Sequence, residues 1–235
     1  MSWRPLLFIV LIFSPTVVEY FVYAGGHIEV LPWAKLLVHF GIPFAFALFV
    51  MRERLGKALR RIVQPWPERR GNNGMRLASA VAVLAGVVIV GAYVVLGKFV
   101  DLGGIAQDLT KNGITREVYP YIALWIVFIN PFKEEFFWRG FVFQQAYNYA
   151  TSAWGRNMAL FGTGVLFALH HIIIFAEWFN WWQFALATFF LSCAGIVLNY
   201  LYLRAGSIWA PWLVHTVADI ALVFLGFVVF GYITL

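Results

Sequence analysis

Three short clusters of ionisable residues interrupt otherwise apolar runs: Lys133-Glu134-Glu135-Phe136-Phe137-Trp138-Arg139-Gly140, Phe167-Ala168-Leu169-His170-His171 and His215-Thr216-Val217-Ala218-Asp219. A charge at mid-bilayer is costly, so such groups face a bundle interior and mark function. In the first cluster Glu135 and Arg139 are four apart and share a helix face, which makes them an ion pair. Glu134 points about 100° away, leaving it available for proton chemistry, the work of a general base. In the second, Phe167 and His171 align at the same spacing, and adjacent histidines cannot share one face. At most one of His170 and His171 then reaches a common site, and a histidine merely satisfied in the core is the plainer alternative. In the third, His215 stacks on Asp219, which can orient the imidazole, accept its proton or join it as a metal ligand. A His–Asp pair that only ties helices together is again the plainer reading. With Arg139 as the one strong cation nearby, Glu134, Glu135, one of the two histidines, His215 and Asp219 can activate water in two ways. They can hold a polarising divalent metal, or a Glu–His pair can act directly as general base. Either gives hydrolysis.

The elements that must position these groups are membrane helices. Of 235 residues, 62% are hydrophobic, 19% aromatic and 12% charged, against nearly half apolar and a quarter charged in a soluble domain. Runs long enough to span a bilayer fall near 6–23, 33–51, 77–97, 119–147, 157–176, 182–203 and 208–233. The expected fold is therefore an all-α polytopic membrane bundle of about seven transmembrane helices. The count becomes eight if the over-long fourth is broken at Asn130-Pro131, where the X-Pro step disfavours helix. No soluble insert or repeat divides the runs, so residues 1–235 read as a single integral membrane domain. The first run, longer than a signal-peptide core and without a clean cleavage site, reads as a first span. Pro15 and Pro43 soften the edges of the first two. The lone cysteine, Cys193, excludes a disulfide within the chain.

Charge placement sets the expected orientation. Residues 52–76 hold Arg52, Arg54, Lys57, Arg60, Arg61, Arg69, Arg70 and Arg76 against Glu53 and Glu68, a net +6 that equals the formal charge of the whole chain. So localised a charge marks a cytoplasmic loop beside an anionic leaflet rather than a nucleic-acid partner. With the N-terminus inside, cytoplasmic segments carry eleven basic residues and outer ones three, Lys98, Lys111 and Arg116. The partners expected are the lipid bilayer and a membrane-associated protein or peptide substrate.

The patterns E-E-x-x-x-R (Glu134, Glu135, Arg139), F-x-x-x-H (Phe167, His171) and H-x-x-x-N/D (His215, Asp219), in this order and each in its own span, resemble the CAAX prenyl protease and bacteriocin-processing (CPBP, or Abi) family of intramembrane endopeptidases. The stretch 195–211, leading into the last motif, is similar too, and the resemblance covers residues 119–220. It implies Glu134 as the base that activates water, assisted by His171, with His215 and the last motif residue stabilising the oxyanion and Glu135, Arg139 and Phe167 shaping the site. Asp219 departs from the common Asn, because an ionised carboxylate cannot donate to an oxyanion. It is then protonated, a partner of His215, or a metal ligand. The family's members are described both as metal-dependent and as glutamic proteases. No cofactor is favoured here, since there is no H-E-x-x-H or cysteine ligand set; a metal such as zinc would fall to Glu134, His171 and His215.

The sequence lacks G-x-S-G, G-x-G-D and H-E-x-x-H, the signatures of other intramembrane proteases. The rivals are a proton-coupled transporter or channel using the buried Glu, His and Asp, and a non-catalytic immunity or scaffold protein of the same fold. Helical rise places Glu134 ~8 Å and His171 ~20 Å from the inner face. The two meet only if the fifth span enters late, near Leu160, or the fourth is broken. A bacterial inner membrane is the expected location, and peptide maturation, immunity or protein turnover the expected setting.

Overall fold

The computed structural model describes residues 4–24, 30–52, 54–64 and 72–233. Glu53, Glu68, Arg69 and Arg70 of the basic segment lie outside the described residues, as do the side chains of Arg4 and Arg61. Among the described residues every regular element is helical. In chain order they are α1 (Arg4–Ile12), α2 (Ser14–Ala24), α3 (Leu31–Leu36), α4 (Ile42–Ala45), α5 (Leu55–Val63), α6 (Asn72–Leu96), α7 (Leu102–Lys111), α8 (Tyr119–Phe128), α9 (Asn130–Phe137), α10 (Gln144–Tyr149), α11 (Ala153–Leu169), α12 (Ile172–Trp178), α13 (Trp181–Ala205) and α14 (Trp209–Val229).

Four helical segments among these residues are long and apolar enough to cross a membrane: Trp33–Val50, Asn73–Phe99, Trp181–Ala205 and Trp209–Val229. α11 and α12 make a fifth if the pair, bent by 45°, is one span. The first expected span is a shorter apolar stretch, Leu7–Val22, stepped at Phe13 between α1 and α2. The expected fourth span carries too much charge to qualify by apolarity. It runs as α8 and α9 joined at Ile129, one residue before the Asn130-Pro131 step, then a π-helical stretch Trp138–Phe143, then α10. The amide of Lys133 still bonds the Ile129 carbonyl at 3.0 Å, so the helix is offset there rather than severed.

Close helix contacts centre the bundle on the charged segment. α11 and α13 approach through Gly164 and Gly195, where a Cβ on Gly195 would lie 3.0 Å from the Gly164 Cα. Small residues permit such contact where lipid offers no hydrophobic drive for association. Asn199 of α13 locks the pair, donating to the Leu160 carbonyl at 2.8 Å and to Thr163 Oγ1 at 2.9 Å. α5 is strongly amphipathic: Ala58 and Ile62, one turn apart, are fully buried while Lys57 and Arg60 are exposed. It presses on the π-helical stretch at Gly140, where a Cβ would come within 2.9 Å of the Ile62 carbonyl oxygen. A helix with one basic and one apolar face is suited to lie in a membrane interface.

Candidate active site

Because α9 carries both carboxylates inward, Glu134 and Glu135 are 2% and 0% exposed, yet their surroundings differ. Glu135 Oε1 accepts from Arg139 Nη1 at 2.9 Å, the expected pair one turn apart. Its Oε1 also accepts from His215 Nδ1 at 2.8 Å. The guanidinium lies 4.2 Å from the centroid of the Phe167 ring and donates to the Gly195 carbonyl at 3.3 Å. Arg139 thereby joins α9 to α11 and α13, and Phe167 packs against the rings of His170, His171 and His215.

Glu134 has a different set of neighbours. The Lys133 ammonium reaches its Oε1 at 3.3 Å, which corrects the expectation that Arg139 is the one strong cation nearby. Its Oε2 has no hydrogen-bond partner and lies 3.8 Å from both His170 Nε2 and His215 Nε2. His215 Nε2 is also 3.7 Å from Asp219 Oδ1, and Asp219 Oδ2 accepts from Asn130 Nδ2 at 3.4 Å. His215 therefore sits among three carboxylates.

The expectation that only one of the adjacent histidines reaches the site is overturned. It assumed a continuous helix, and the helix breaks between α11 and α12 at these two residues. The break lets both Nδ1 atoms face the Phe167 carbonyl, that of His171 at 3.2 Å, with the ring centroids 3.8 Å apart.

The potential metal donors regroup in consequence. One donor atom each from Glu134, His170 and His171 lie within 4.8 Å of one another, whereas His215 of the expected set is engaged by Glu135. A zinc ion at about 2.0–2.2 Å from nitrogen and carboxylate donors would have to draw this group inward. It would also have to settle against the Lys133 ammonium on the same carboxylate.

Glu134 and His171 border a cleft of about 660 Å³ whose lining is mostly apolar and comes chiefly from α6, α7, α8, α12, α13 and α14. The charged, imidazole or amide side chains on it are Lys35, Asn130, Glu134, His171 and Gln183. A family model described as Rce1-like, type II CAAX prenyl endopeptidase Rce1-like, matches residues 116–221. This segment is similar to that family's domain. It includes every residue of the three motifs, and the family matched is a protease family. No curated protein and no solved structure matches the chain. The apolar helices and this match point to an integral membrane protein, and the match does not favour the transporter reading.

Sequence reasoning missed several groups that the fold brings to this segment. Lys35, outside the matched segment, lines the cleft and pairs with the buried Glu19 at 3.0 Å. His39, also buried, packs its ring 5.1 Å from that of Phe137. Asn130 was visible only as a helix-breaking step. For it and for Lys133 a signal existed, since Asn130 is one turn from Glu134 and Lys133 is its neighbour. For Glu19 and Lys35, sixteen residues apart across two helices, no local spacing could have indicated the contact.

Proposed function

We propose that the chain is an intramembrane endopeptidase that hydrolyses a peptide bond of a membrane-associated protein or peptide, with Glu134 activating water. The observation that carries this reading is a buried carboxylate oxygen, Glu134 Oε2, without a hydrogen-bond partner and flanked by two imidazoles on the border of a large apolar cleft. Such a cleft suits a substrate whose scissile segment carries or adjoins a long apolar group, in keeping with the prenyl endopeptidase family.

Glu134 takes a proton from water as the water oxygen attacks the scissile carbonyl carbon, and the carbonyl oxygen becomes an oxyanion. The same proton then passes to the leaving amine as the C–N bond breaks, which leaves a new carboxyl end and a free amine. His171, on the cleft beside Glu134, assists in holding the water. His215, among three carboxylates and carrying a proton on each ring nitrogen, gives its Nδ1–H to Glu135, and that fixes the ring with its Nε2–H toward Glu134 and the oxyanion. Desolvated, preoriented donors of this kind contribute more than they would in water. Glu135, Arg139 and Phe167 hold these groups in place. Lys133 on Glu134 favours direct water activation over a metal. Were a divalent ion to bind, Glu134, His170 and His171 would hold it, and it would polarise water or the carbonyl. The proposal includes seven crossings with the N-terminus and the segment 52–76 on the cytoplasmic side, since the eleven-to-three distribution of basic residues favours it.

The test is cleavage of prenylated and unprenylated membrane peptides by purified wild type, Glu134→Ala and His171→Ala. Loss of activity in both variants is expected, and undiminished cleavage by either sinks the assignment. Activity of the wild type should survive exhaustive chelation; loss that added zinc restores would transfer the mechanism to a metal.

A further inference from the structure

An oxyanion formed at Glu134 needs N–H donors, and the residue stacked with His215 cannot supply one while ionised, because a carboxylate only accepts. Asp219 is engaged from two sides, by His215 Nε2 at 3.7 Å and by Asn130 Nδ2 at 3.4 Å. Asn130 is the first residue of α9 and lies one turn before Glu134, so the two share a helix face. Both line the same cleft.

Three other polar groups on the cleft have described partners away from the carboxylates. Lys35 donates to Glu19. The Gln183 amide nitrogen donates to the Phe99 carbonyl and its oxygen closes the cap of α13. His171 Nδ1 faces the Phe167 carbonyl. A primary amide has two N–H donors, and Asn130 Nδ2 has one described partner, Asp219. A carboxylate oriented on one N–H of an amide leaves the second directed away from it with a defined geometry.

We infer that Asn130 is a further catalytic residue, its amide held by Asp219 so that the second N–H donates, beside His215, to the oxyanion of the scissile carbonyl. Asp219 is then a positioning residue that acts through Asn130 and His215 and never contacts the oxyanion itself. The two residues divide between them what a single amide on α14 would do alone. This inference rests on the endopeptidase reading given above.

The experiment compares wild type, Asn130→Ala, Asp219→Asn and the exchanged double variant Asn130→Asp/Asp219→Asn. The probe is a quenched-fluorescent peptide with a farnesylated cysteine three residues before a free C-terminus, assayed in detergent micelles with a melting curve for each protein. Removal of one oxyanion donor costs about 10²–10³ in kcat, and Asn130→Ala should lose that much with KM within about twofold, since the contact exists only in the transition state. The exchanged double variant returns an amide to the pair from the α14 side and should recover to within about tenfold of wild type by the same donor count. Asp219→Asn alone keeps an acceptor for the Asn130 amide, so its kcat should fall by less than that of Asn130→Ala, and an equal or larger fall overturns the inference.

Asn130→Ala with wild-type kcat overturns the inference. So does a loss that comes with a matching fall in melting temperature and that the exchanged variant fails to recover, because that is the behaviour of a helix-start residue with a structural role. A wild type that does not cleave the peptide overturns the endopeptidase reading for this substrate class, and the inference with it.

Discussion

Two pairs of residues one turn apart occupy adjoining faces of α9 and the π-helical stretch that continues it, and they serve opposite ends. On one face Glu135 and Arg139 are both fully buried and joined at 2.9 Å, with His215, Phe167 and the Gly195 carbonyl completing their surroundings. On the next face Asn130 and Glu134 border the cleft, and one oxygen of Glu134 has no hydrogen-bond partner. Both pairs leave a buried polar atom without a hydrogen-bond partner, Glu135 Oε2 and Arg139 Nε in the first and Glu134 Oε2 in the second. The first is a joint among three helices, and only the second lines the cleft where a substrate could meet it. A rotation of about 100° between consecutive residues is enough to separate a structural carboxylate from a reactive one.

That contrast is open to attack by substitution. The largest effect is expected from Glu134→Gln, which keeps shape and removes the base. Hydrolysis should fall by about 10²–10⁴, while thermal stability falls by less than in the Arg139 variant below, since Gln keeps an acceptor for the buried Lys133. If this variant unfolds as readily as one in the Glu135 pair, the division between the two faces is wrong.

Next comes Arg139→Met, which leaves the buried Glu135 with His215 as its one described partner and should destabilise by up to about 3–5 kcal/mol. Adding Glu135→Gln removes that charge, so the double variant should melt above the single one. Equal melting of the two would show that Arg139 acts through its contacts with Phe167 and Gly195 instead. The smallest effect is expected for Asn199→Ala, remote from the carboxylates. Interhelical polar contacts in membranes average about 0.6 kcal/mol, so a small drop in melting temperature with unchanged kcat sharpens the view that α11 and α13 are scaffold.

The charged motifs were readable because each is local. Glu135 with Arg139 and His215 with Asp219 are set by helical periodicity alone, and both pairs form as the spacing implies. The same periodicity misled at His170 and His171, because it presumes a helix that in fact ends there. The offset at Ile129 is of the same kind: Asn130-Pro131 signals a disturbance, but its size depends on what packs around it. No local spacing points to Lys35, and only the packing of its helix brings it to Glu19 and to the cleft.

By itself the sequence determined that this is a helical membrane protein, that its ionisable residues gather in three spans, and that Glu134 and Glu135 point apart. Each of these follows from composition or from the fixed geometry of a single helix. The tertiary structure alone decided that both histidines lie near Glu134, that Lys35 reaches the cleft, and that a large apolar cleft ends at Glu134. Those facts depend on how helices break and where they cross, and the close contacts at Gly140, Gly164 and Gly195 that set the crossings join residues far apart in the chain.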